Sequence, residues 1–144
     1  MGLPLKAHHL PARIATGAYI LDQGIGKLSA DEETAAGLHR VATGTYPFLG
    51  KLKPKDFTRL LAISEITVGS MLLVPVVPIG VAGAALTAFS GGLLGLYIKT
   101  PGMRKEGSPF PTRQGTALAK DSWMVGIGLG LIIDDLKDRA GRRK

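Results

Sequence analysis

Five ionisable residues interrupt stretches that are otherwise apolar: Asp22, Lys27, Glu65, Lys120 and Asp121. Carboxylates and amines in such surroundings do one of two things. Paired between helices, they fix which helices meet. Gathered around a cavity, they make a polar pocket for a quinone headgroup, a proton or a small substrate. A charge at the centre of a helix in lipid costs roughly 2.5–3.5 kcal/mol, less near the interface. Glu65 lies deepest in its stretch, so it is not expected to face lipid unpaired. Three acids and two lysines would largely neutralise one another if they converged, and convergence is the economical expectation. The structural and the ligand-binding readings of that cluster both stay open.

Other chemistry has less to draw on. The absence of cysteine excludes disulfides, thiolate zinc sites, iron–sulfur clusters and a cysteine nucleophile. His8 and His9 are adjacent and His39 falls in a loop, so no metal or haem ligation is expected. Gly24-Ile25-Gly26-Lys27 has the look of a phosphate loop but ends a helix instead of opening one. Trp123, Tyr19, Tyr46 and Tyr97 read as interfacial anchors. No cofactor is expected, a quinone in the charged pocket being the one candidate under the ligand-binding reading.

The elements that must position these residues are apolar segments separated by charged connections. Mean hydropathy is +0.20 although 20% of residues are charged, which requires the two kinds to be segregated along the chain. Four spans are expected, at about 11–28, 57–74, 79–98 and 116–136, each near the ~17–25 residues that cross a bilayer. The first is the most polar, interrupted by Arg13, Asp22, Gln23 and Lys27. It flows into a charged region without a small-residue cleavage pattern, so it is read as a retained span and not a signal peptide.

The turn after the second span, around Pro75 and Pro78, is short and uncharged, which makes spans two and three antiparallel neighbours. Twenty glycines are many for water-soluble helices but suit close helix packing in lipid. Gly83, Thr87, Gly91 and Gly95 recur every four residues in the third span, and Ser122, Gly126 and Gly130 do so in the fourth. Both stripes are read as helix-packing faces.

In the long first connection, 29–56, Ser29-x-x-Glu32 has the form of a capping box and precedes a short surface helix. Tyr46 and Phe48 would then sit at headgroup level, with Lys51, Lys53 and Lys55 reaching phosphates, and Asp56 would cap the second span. The net charge of +7 is read as attraction to anionic lipid. No aromatic-interleaved basic face suggests nucleic acid. The expected fold is thus an all-α integral membrane four-helix bundle, antiparallel and up-down, forming a single membrane domain with an extended polar first loop.

Several short patterns on these spans resemble the DoxX family of small bacterial membrane proteins. They are Arg13 early in span one with Gly24-x-x-Lys27-Leu28 at its end, Glu65 followed by Gly69 and Met71-Leu72-Leu73, and Ala119-Lys120-Asp121 opening the last span. The resemblance runs from about Arg13 to Asp134, and the first loop is longer than the family's usual one. It implies a four-helix bundle in the bacterial cytoplasmic membrane, associated with redox systems such as a terminal quinol oxidase. The expected role is a non-catalytic accessory subunit of a respiratory or redox membrane complex, partnered by the lipid bilayer and other subunits. The alternative is a quinone-linked oxidoreductase or small-molecule binding protein. The basic tail favours cytoplasmic termini, against the larger number of basic residues in the loops.

Overall fold

The computed structural model describes residues 6–100, 102–108, 110–113 and 115–143. Its first long helix, α1, is Leu10–Leu28, with Pro11 in the opening turn, where a missing N–H costs nothing. Arg13, Thr16, Gly17, Ile20 and Gly24 are its buried residues, and their three- and four-residue spacing makes one continuous inward stripe. A second helix, α2, is Glu32–Thr45, and a single 3-10 turn, Pro47–Lys51, follows it. Three more helices complete the chain: α3 Pro54–Leu73, α4 Ile79–Lys99 and α5 Thr116–Arg142. Among the described residues no strand forms, and one isolated bridge joins Arg104 to Pro111.

Two expectations about helix starts need correction. Asp31, not Ser29, caps α2, its carboxylate accepting from the Thr34 N–H at 2.7 Å, while Ser29 closes the end of α1 instead. Asp56 does not cap α3, which begins earlier, at Pro54 behind Lys53. Asp56 lies in the first turn, where a negative charge still favours the helix dipole.

The long helices form two antiparallel pairs, α1 on α3 and α4 on α5, joined by the 74–78 turn. Glycines let both pairs approach closely. A Cβ on Gly69 would fall 2.8 Å from the Leu21 nitrogen and 2.9 Å from the Gly17 oxygen, and one on Gly83 would fall 2.8 Å from the Gly128 oxygen. The main core gathers Ile20, Val68, Leu72, Ile79, Leu86, Met124 and Leu131 from all four helices. A second cluster, Ala42, Phe57 and Leu96, fixes α2 across the end where the long loops lie.

The described residues contain one helix that is long and apolar enough to cross a membrane by length and composition, α4. Four such segments were expected. The other three helices fall where spans were expected, but Arg13, Asp22 and Lys27 on α1, Lys55, Asp56, Arg59 and Glu65 on α3, and the charged ends of α5 dilute their apolar character. Arg13 and Asp121 are among the most completely buried side chains, whereas Trp123 is 74% and Leu136 59% exposed.

Candidate functional site

At the loop end, the last turn of α1 presents Lys27 to Glu65 on α3. The ammonium donates to both carboxylate oxygens at 3.0 Å. Glu65 is buried and Lys27 half-buried. Asp121, in the second turn of α5, is completely buried, and neither of its carboxylate oxygens accepts a hydrogen bond from a described residue. It lies within electrostatic reach of Lys120, Glu65 and Lys27. The Lys120 ammonium sits 5.3 Å from the centre of the Tyr19 ring, a cation–π contact. Four of the five expected residues therefore converge. Asp22 does not: it is exposed, and its place on the cavity wall is taken by Gln23 and Tyr19.

Lys27, Glu65 and Lys120 line one side of a cavity of about 540 Å³, within the usual ~300–1,000 Å³ of small-molecule sites. Leu38, Val41, Phe57, Leu61, Leu93 and Leu96 supply its apolar walls. Helix α2 roofs it, and three contacts hold that roof. They are the Asp31 cap, a 2.9 Å bond between His39 Nε2 and the Leu49 oxygen, and the Tyr46 hydroxyl donating to the Gly92 oxygen at 2.8 Å. Tyr46 is thus a tie between elements as well as a partly exposed ring, whereas Phe48 is exposed. A second cavity of about 510 Å³ lies between α1 and α5 beside Trp123, and Tyr19 and Lys120 line both.

The small-residue stripes divide. Gly83 lies against Gly128 and Leu131, Thr87 against Gly128, and Gly95 against Tyr46, while Gly91 meets open space. On α5 the expected face points outward: Ser122, Gly126 and Gly130 are exposed. Met124, Gly128 and Leu131 pack inward instead. Two residues along a helix is about 200° of rotation, so the inner face lies opposite the stripe.

Two groupings at the opposite end went unread in the sequence. Arg13 is buried, and its guanidinium donates to the carbonyls of Met71, Leu72, Val74 and Val77 at 2.7–3.2 Å. Two of these, the Met71 and Leu72 carbonyls, are ones that the end of α3 leaves without intrahelical partners, and the other two belong to the turn. Read in sequence as a defect in span one, it is a clasp across the 74–78 turn. His8 and His9 meet Asp134 of α5, with His9 Nε2 2.7 Å from Asp134 Oδ2. A sequence separation of 125 residues left no local signal for that contact.

No family model, curated protein or solved structure matches this chain.

Proposed function

We propose that the chain is a multi-pass protein of the bacterial cytoplasmic membrane whose loop-end cavity binds the polar head of an amphipathic small molecule, a quinone being the class that fits best. The observation that carries this reading is the cavity itself: apolar walls from α2, α3 and α4 meet Lys27, Glu65 and Lys120 on one side. A quinone carbonyl accepts hydrogen bonds from an ammonium, a phenol or an amide, and Lys120, Tyr19 and Gln23 offer those donors. The apolar exterior, with Ile14, Leu60, Ile63, Leu129 and Ile133 all exposed, supports a lipid surround for the bundle. The DoxX-like reading is part of the same proposal. Of the residues behind it, Arg13, Gly24, Lys27, Glu65, Gly69, Lys120 and Asp121 fall at helix contacts or in the charged cluster, whereas Leu28 is exposed.

Trp123 is the sole tryptophan and lies beside Lys120, which makes it a reporter. The full chain in lipid nanodiscs should show saturable quenching of its fluorescence by a short-chain quinone. Glu65→Gln should abolish that saturation while leaving insertion intact. Unsaturable quenching in the wild type, or a Glu65→Gln chain that merely loses stability, would leave the cluster a structural ion-pair network.

A second reading, an accessory subunit of a redox complex, is favoured by the outward face of α5. A Cβ at Gly126 or Gly130 would meet nothing within 4 Å, so a partner helix could approach there closely. Gentle detergent extraction should then recover a larger oxidoreductase with the chain. Isolation as a lone monomer or homodimer would count against it.

A further inference from the structure

At the end of the bundle away from the cavity, three donor atoms of metal-ligating type come together. His8 Nε2 lies 3.6 Å and His9 Nε2 2.7 Å from Asp134 Oδ2, and the three residues each offer one ligand atom within 4.8 Å of the others. We propose that His8, His9 and Asp134 form a binding site for a borderline divalent transition-metal ion of the zinc or cobalt class. Ligands at ~2.0–2.2 Å in a tetrahedral shell stand about 3.3–3.6 Å from one another. The present separations bracket that spacing, so small side-chain adjustments close the shell.

The burial pattern suits such a site. His9 is 4% exposed, and its one side-chain hydrogen bond among the described residues is the contact from Nε2 to Asp134. His8 is largely exposed, which leaves a path for the ion and a fourth position for water. Two imidazoles and one carboxylate select zinc, cobalt, nickel or copper over magnesium or calcium, which prefer oxygen donors. The nearest competitor is Lys6, whose ammonium is 3.5 Å from the same Asp134 oxygen but 2.5 Å from Asp138 Oδ2. Asp138 therefore retains the ammonium when the ion takes Asp134. The site is separate from the loop-end cavity and stands whether or not that cavity binds a quinone.

The test uses the full chain, purified in detergent without a polyhistidine tag and titrated with Co²⁺. A visible absorption band should saturate at one ion per chain, and Zn²⁺ should displace it. His8→Ala should weaken Co²⁺ binding at least ~10-fold, the loss that even outer-shell partners cause. Its helix content and unfolding midpoint should stay those of the wild type, because the exposed His8 ring supports little packing. Asp134→Asn should weaken binding likewise, and His39→Ala, a histidine outside the cluster, should leave it unchanged. The site is ruled out by a wild-type chain with no saturable band below millimolar Co²⁺, by equal binding to wild type and His8→Ala, or by a loss that follows His39→Ala.

Discussion

The two ends of the bundle treat charge in opposite ways. At the turn end, Arg13 spends its N–H groups on four carbonyls, and Asp134 engages His9 and Lys6, although His9 Nδ1 is left without a partner among the described residues. At the loop end, Lys27 and Glu65 pair, but Asp121 is buried without a hydrogen bond from a described residue, and Lys120 rests on a ring. A cavity opens there. Matched buried charge stabilises geometry, whereas unmatched buried charge weakens the fold and is tolerated where something else uses it. The contrast sets Arg13 in the architecture and, under the proposed function, the Lys120–Asp121 corner at the binding site.

Breaking the turn end should have the largest effect. Arg13→Ala leaves several inward carbonyls without donors and should destabilise the fold by on the order of 3 kcal/mol or more, read as a lowered unfolding midpoint in detergent. Arg13→Lys should rescue little, because one ammonium cannot span carbonyls on both sides of the turn. Recovery of the full midpoint by lysine would mean that charge alone, without the guanidinium geometry, holds the turn.

The loop end should respond with the opposite sign. Asp121→Asn removes a charge that has no hydrogen bond and should raise stability by about 1 kcal/mol, while quinone quenching of Trp123 weakens. A lower midpoint with unchanged quenching would mean that Asp121 belongs with Arg13, as a structural group.

The smallest effect concerns the roof over the cavity. The Thr34 backbone N–H holds the Asp31 carboxyl below its ordinary value of 3.8. A group depressed on folding stabilises the folded state above its unfolded value, and that contribution fades as pH falls through the lowered one. Acidification from above pH 3.8 should therefore loosen the start of α2 before the long helices, seen as earlier loss of amide protection at residues 32–35. Asp31→Ala should abolish that pH dependence and leave the four long helices unchanged.

Much of the fold was legible because apolar runs and breakers are local signals. The expected span at 79–98 matches α4, Ile79–Lys99, within one residue, and the other three starts fall within three residues of the helices. Helix α5 continues to Arg142, past the expected end near residue 136, because Lys137, Arg139 and Ala140 extend a solvated helix readily even where charge would end a span. The site was legible in part. Glu65, Lys27, Lys120 and Asp121 converge because charges buried in apolar segments need one another. Asp22 fails by geometry: five residues from Lys27 is about 140° around the helix, off the stripe that Ile20, Gly24 and Lys27 define. The Arg13 clasp and the histidine–aspartate cluster stayed hidden because their partners are backbone atoms or lie at the far end of the chain.

The Arg13 clasp also sets an order of assembly. Its acceptors lie 58 to 64 residues further along the chain, so during synthesis the guanidinium emerges long before any carbonyl that will receive it. Until the end of α3 and the following turn exist, that charge has to stay hydrated, and α1 cannot settle into its final place. Helix α1 is therefore completed only after α3, and newly made chains stopped before the 74–78 turn should hold α1 loosely, whatever its own apolar content.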